Sequence, residues 1–215
     1  MPFAPPDFLM KALSRQLGGP SGLFGKLVVA RKLNQNNGAA IAAAVEALEL
    51  AGTEVTADVG FGGGLGLDLL LTALPEGQVH GVEPSRDMLA LARRTHEAAV
   101  RDGRLTLHEA SMQELPMADG ALDGWISLNT VYFVKGDLAP AARELARVLA
   151  PSGRGVLGIA DPDWMAEQPF TRYNFNLRPV PEVVATFEEA GLAVERREVD
   201  REGPRFHLLV CRPTR

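Results

Sequence analysis

From Val55 onward, short apolar runs of strand length alternate with longer stretches whose apolar residues recur at helical spacing. The runs "EVTADV", "QVHGVE", "RLTLHE", "LDGWISL" and "GRGVLGIA" predict strands. Gly64–Leu74, Ser85–Val100 and Asp137–Ala150 predict the helices between them. "PEVVATFEEAG" predicts a last helix. "LAVERREVD" and "RFHLLVCR" predict two closing strands, and the short turn "REGP" between them favours an antiparallel pair. Upstream, "GAAIAAAVEALELAG" is rich in helix formers and is stopped by Gly52. Strands alternating with helices imply an α/β fold, a doubly wound, mostly parallel sheet covered on both faces. A ligand in such a sheet sits at the carboxyl ends of the strands, near the switch point. The loops after Glu83, His108, Leu128 and Ala160 are expected to converge there with the glycine loop that follows the first strand.

Composition narrows this picture. The chain has 215 residues, 46% hydrophobic and 23% charged, which suits one globular domain with an appended segment. No apolar run approaches bilayer length, and "MPFAPPDFLMKALSRQ" lacks the pattern of a secretory signal. Cys211 is the only cysteine, so no internal disulfide can form, and a cytoplasmic location is expected. A net charge of −5 disfavours nucleic acid as a partner. The charge is uneven: residues 1–37 carry +4 and the remainder −9. Residues 1–37, rich in Gly and Pro, are therefore expected to be an arm or lid on a domain of residues 38–215. Docking on the acidic body, contact with an anionic substrate and contact with a membrane surface all stand as roles for it. Oligomers are possible.

The stretch "VTADVGFGGGLGLDLL" carries the chemistry. A strand, a glycine-rich turn and a helix form a cradle for a nucleotide-like ligand. The dinucleotide fingerprint G-x-G-x-x-G fits no register, because Leu65, Leu67 and Leu69 occupy the positions where its third glycine belongs. Gly60, Gly62 and Gly64 instead stand two apart, preceded by Asp58. A carboxylate at the entrance repels a pyrophosphate and attracts a ligand with a positive end. S-adenosylmethionine, with an ammonium and a sulfonium, is such a ligand.

"ADVGFGGG" resembles the first motif of class I S-adenosylmethionine-dependent methyltransferases, and "VHGVEPSRDML" resembles their second. "HEASMQELPMADGALDGWISLNTVYFV" is similar to the third and fourth, and "LARVLAPSGRGVLGI" to the helix and fifth strand that follow. The match runs in order from about Thr53 to Arg212, and the chain looks like a small-molecule, type 11-like member with a Rossmann-like sheet of seven strands, the last antiparallel. The resemblance implies S-adenosyl-L-methionine as cofactor. It places Asp58, Gly60, Phe61, Gly62 and Gly64 at the methionine part, with Asn129 there or at the substrate, and Glu83 and Pro84 at the ribose. It sets Met88 on the adenine, with Ser111, Met112 and Gln113 bordering it. Ser111 stands where many relatives have an acid, and Phe61 where a small residue is common.

Methyl transfer needs alignment and exclusion of water more than a catalytic group. No residue is marked as catalytic by the sequence; Tyr132, Asp161 and His108 are the acid/base candidates. His80 is expected in core or on surface, His96 solvated in mid-helix, and His207 and Cys211 packed far from the ligand edge. No metal-ligand spacing appears. The loop "ADPDWMAEQPFTRYNFN" is aromatic and suits a wall for a planar or apolar small-molecule acceptor, or an anchor for itself. A cofactor-binding protein without turnover and a nicotinamide-dependent oxidoreductase are the rival readings.

Overall fold

A computed structural model describes residues 37–199 and 205–214, so the expected arm falls, Asn37 apart, outside the described residues. Seven strands form one sheet: β1 (Val55–Val59), β2 (Gln78–Val82), β3 (Leu105–His108), β4 (Leu122–Leu128), β5 (Leu149–Ala160), β6 (Leu192–Glu198) and β7 (Phe206–Pro213). Their order is β3-β2-β1-β4-β5-β7-β6. β1 to β5 pair in parallel, and β7 runs antiparallel to both β5 and β6. The expected sheet is the observed one. The helices are α1 (residues 37–47), α2 (Leu65–Ala73), α3 (Arg86–Thr95), α4 (Glu97–Arg101), α5 (Ala139–Arg147), α6 (Pro162–Glu167) and α7 (Val180–Glu189). No helix among the described residues is long and apolar enough to cross a membrane.

Alternation along β4 shows how the layers close. Trp125 is fully buried against Phe187 of α7, and its Nε1 donates to the Leu145 carbonyl of α5 at 3.0 Å. Its neighbours Gly124 and Ile126 point the other way, toward Leu48 after α1 and toward Gly66 of α2. Trp125→Phe leaves the Leu145 carbonyl without its donor. It is expected to lower stability by about 1–3 kcal/mol, read as a lower urea midpoint at unchanged slope.

Four expectations change. The helix predicted to Ala150 ends at Arg147, because Leu149 already pairs with Leu122 as the start of β5. The helix predicted over Ser85–Val100 breaks at His96, which ends α3 and starts α4. His96 is not solvated but 9% exposed, its Nδ1 3.6 Å from Asp68 Oδ1. The break sets the ring behind the glycine loop, with Nε2 3.6 Å from where a Cβ on Gly64 would lie. His207 is not far from the ligand edge. β7 runs backwards, so its first residues lie at the carboxyl ends of the parallel strands, and His207 sits opposite Ile159. Cys211 is buried as expected.

Candidate functional site

The chain runs from β1 outward to β2 and β3, then returns to β4 and β5 on the other side of β1. The strand order reverses between β1 and β4, which opens a crevice beyond their carboxyl ends. Register sets Val59 beside Val82 and Val82 beside His108, with Leu128 beside Gly158. Gly60, Glu83, Asn129 and Asp161 therefore each begin a loop at one edge.

The glycine loop is a tight left-handed path. Gly60, Gly62 and Gly64 have φ of 78°, 47° and 82°, which side-chain-bearing residues rarely adopt. Gly60 N donates to the Val82 carbonyl at 2.7 Å, and Gly64 N to Phe61 at 2.9 Å. A Cβ on Gly60 would fall on the Thr130 methyl. The loop after β4 thus presses on the loop after β1. Thr130 is held there by its hydroxyl, 2.6 Å from Ser127 Oγ, which itself donates to the Val59 carbonyl at 2.8 Å. Neither residue stands out in the sequence.

The Phe61 ring does not enter the crevice. It is buried, 6% exposed, and lies against Gly81 of β2, where a Cβ would come within 3.2 Å of it. The large residue inside the loop is matched by the missing side chain on the neighbouring strand.

Two carboxyls frame the loop. Asp58, at 5% exposure, has its carboxyl packed against Gly66, where any Cβ would strike it. Gly66 is the fifth glycine of the stretch, and its purpose is this space. Burial, with the like charge of Glu83 second, pushes the Asp58 carboxyl up to about 8. Glu83 bridges two elements. Its Oε2 accepts from Gly62 N at 3.2 Å and its Oε1 from Ser85 N at 3.0 Å. Burial raises its pKa, and the two backbone donors act against that. A carboxylate has about four lone-pair sites, so two stay open for a ligand's hydroxyls. Ser85 caps α3 by accepting from Met88 N at 3.4 Å.

Met88 and Met112 are buried, while Pro84, Ser111 and Gln113 are exposed. Ser111 Oγ accepts from Gln113 N at 3.3 Å. Their loop is fastened from below by a pair on α5. Arg147 donates to the carbonyls of Leu115 and Met117, and Glu144 accepts from Leu115 N at 2.8 Å. Asn129 has φ 57°, a turn conformation. Its amide is occupied: Nδ2 donates to Asn37 Oδ1 at 3.2 Å, and Oδ1 accepts from Ala160 N at 3.3 Å.

The acid/base candidates each have partners of their own. Tyr132 is 2% exposed, donates its hydroxyl to the Ala160 carbonyl at 3.1 Å, and burial raises its pKa far above the phenol range. It is structural. Asp161 caps α6, its Oδ1 accepting from Asp163 N and Trp164 N at 3.1 Å each. Its Oδ2 lies 3.4 Å from Arg205 and 3.5 Å from His207. The Trp164 amide first, then the Arg205 charge, hold its pKa below the usual range. His108 Nε2 lies 3.0 Å from His80 Nδ1, so the pair shares a hydrogen bond, and burial lowers both pKa values. The titratable oxygens of Tyr132 and Asp161 thus already have partners, while His108 is engaged through Nε2.

The aromatic loop after β5 is largely α6 and a 3-10 turn, Pro169–Arg172. Phe175 is its hub, with ring centroids 5.9 Å from Tyr132, 5.0 Å from Phe133 and 5.7 Å from Phe170. These rings fasten the loop after β5 to the loop after β4.

Residues 57–153 match the family model described as a methyltransferase domain. An O-methyltransferase of Pyrenophora dematioidea is 34% identical over 83 residues, 39% of this chain and 30% of that protein. The chain spans about a third of the length of the first curated relatives it matches. Among solved structures, the 1,6-didemethyltoxoflavin-N1-methyltransferase of Burkholderia thailandensis superposes with a TM-score of 0.66. It is 18% identical, the match covers 100% of this chain and 93% of that one, and it holds 1,6-didemethyltoxoflavin and S-adenosylhomocysteine. A geranyl diphosphate methyltransferase bound to GPP and sinefungin superposes with a TM-score of 0.68 at 16% identity, covering 83% and 78%. The fold is one shared with these methyltransferases.

Proposed function

We propose that this chain, whose residues 57–153 match the model of a methyltransferase domain, transfers a methyl group from S-adenosylmethionine to a small molecule. The observation that carries the reading is the pair Asp58 and Glu83 on either side of a bare left-handed backbone bend. A cradle that a Cβ would fill, with a buried carboxyl at its entrance, fits a ligand with a cationic end. Asp58 would hold the ammonium, the backbone of Gly60 to Gly64 the methionine part, and Glu83 the ribose hydroxyls. Pro84, Met88, Ser111, Met112 and Gln113 would border the adenine. When bound, the cofactor supplies an electrophilic methyl group on a sulfonium.

The protein's own part is alignment and dryness. Thr130 on Gly60 fixes the distance between the two loops that would flank a bound cofactor. The rings of Phe133, Phe170 and Phe175, packed on one another, would supply an apolar wall for an acceptor. With Tyr132 and Asp161 both engaged, the acceptor brings its own nucleophilicity. Neighbours that hold a flat heterocycle or an isoprenoid diphosphate support a small acceptor.

The test is calorimetry with S-adenosylmethionine, S-adenosylhomocysteine and NADH, followed by transfer of tritiated methyl into cell extract. Binding of the first two and label in a small molecule are expected. Binding of NADH alone overturns the cofactor, and label confined to macromolecules overturns the acceptor class. Glu83→Gln is expected to weaken cofactor binding roughly tenfold, the loss of about one charge-assisted hydrogen bond.

A further inference from the structure

Arg178 stands in the segment before α7, outside every motif the sequence displays. It is 6% exposed, and no carboxylate pairs with it among the described residues. Buried guanidinium groups usually face carboxylates. This one faces carbonyls. Its Nη1 donates to Val131 O at 2.8 Å and Asn176 O at 3.4 Å; its Nη2 donates to Gly136 O at 2.7 Å and Val134 O at 3.0 Å. Asn176 extends the same surface. Its backbone N donates to Tyr132 O at 2.8 Å and its Nδ2 to Val134 O at 3.4 Å.

The carbonyls of Val131, Tyr132, Val134 and Gly136 all belong to the loop after β4, which turns through a 3-10 element at Val131–Phe133. Of the carbonyls that face Arg178 and Asn176 here, Val131 O also accepts from Val134 N at 3.3 Å; a short 3-10 turn leaves others without helical partners, and buried ones need donors. The fork of Arg178 meets four carbonyls at once, one more than the three donors of an ammonium. The loop's two ends do different work. Thr130 rests on the glycine loop and is held separately by Ser127. Phe133 lies in the aromatic cluster on Phe175. Arg178 grips the part that carries Phe133.

We propose that Arg178 is the positioning residue for the acceptor side of the site: its guanidinium holds the loop after β4 so that Phe133 and Phe175 form a fixed wall for the methyl acceptor. This rests on the methyltransferase reading above. Because Ser127 secures Thr130 independently, the cofactor side is expected to be insensitive to Arg178.

The experiment compares wild type, Arg178→Met and Arg178→Lys. S-adenosylhomocysteine is titrated by calorimetry, amide exchange is followed across residues 129–136, and KM and kcat are measured with the small molecule labelled in the tritium screen. For Arg178→Met we expect exchange in 131–136 at least about tenfold faster and acceptor KM raised by about tenfold. S-adenosylhomocysteine affinity stays within about threefold. Arg178→Lys, which keeps the charge but not the fork, is expected to recover only part of the protection and of KM; should Arg178→Met fail to fold, this variant alone carries the test. Unchanged loop exchange, an unchanged KM, or a loss of cofactor affinity as large as the rise in KM overturns the proposal. Failure of the wild type to bind S-adenosylhomocysteine overturns instead the reading beneath it, and the exchange data still decide whether Arg178 holds the loop.

Discussion

Gly66→Ala is expected to weaken S-adenosylmethionine binding by one to two decades while leaving the protein folded. Gly66 is the second residue of α2, and its φ lies outside the left-handed region, so the backbone itself accepts alanine. An added Cβ gains helix propensity, roughly 0.8–1 kcal/mol. It meets the Asp58 carboxyl oxygen directly, with Asp58 Cγ at 2.9 Å and Ile126 Cδ1 at 3.0 Å. Ile126 is fully buried and cannot retreat. The carboxyl must swing away instead, and with it the group that meets the cofactor's ammonium. Losing one charge-assisted contact amounts to about 1.5–3 kcal/mol, which is one to two decades in affinity. Calorimetry gives the affinity, and urea unfolding confirms that the variant is folded. A dissociation constant within about threefold of wild type, with the fold intact, would remove Asp58 from the site.

Gly66 also shows what kind of information a sequence carries. Periodicity delivered the sheet, because each strand's apolar run and each turn's glycine is a local property. It even delivered the inverted closing strand, through "REGP". What it missed are contacts between distant segments. Gly66 matters only because β1 places Asp58 beneath it, and Thr130 only because β4 ends beside β1. The large ring of Phe61 looked like a departure until Gly81, twenty residues on, proved to leave it room. His207 appeared remote because distance along β7 was read without its direction. Tyr132 and Asp161 looked chemically able because a sequence shows side chains and not their partners. Tyr132 is closed off by the Ala160 carbonyl, and Asp161 by two amides and Arg205. Arg178 had no signal at all, since a guanidinium that binds carbonyls leaves no charge pattern behind.

Cofactor binding is expected to tighten as pH rises from 6 toward 8, approaching about tenfold per unit, with Asp58→Asn abolishing the slope. The carboxyl of Asp58 keeps its proton to about pH 8 in the folded protein against an ordinary value of 3.8, because burial and the neighbouring charge of Glu83 disfavour the anion. At neutral pH the empty site therefore presents a protonated acid. A cationic ligand stabilises the carboxylate and expels that proton, so binding below pH 8 releases it and is opposed by acid. The same shift acts on stability with the opposite sense. Between about pH 4 and 8 the folded apoprotein binds more protons than the unfolded chain, so its stability falls as pH rises through that window and is lowest above the folded pKa. Asp58→Asn removes the burden. It is expected to make the apoprotein more stable at pH 7, by roughly 2–4 kcal/mol, and to flatten the urea midpoint against pH. Calorimetry at pH 7 in buffers of different ionisation enthalpy reads the expelled proton directly. Equal binding enthalpies in those buffers, or the same pH slope in Asp58→Asn as in wild type, would mean that this carboxyl is already charged when the cofactor arrives. Its attraction for the ammonium would then owe nothing to a displaced proton, and the stability gain of the asparagine variant would vanish with it.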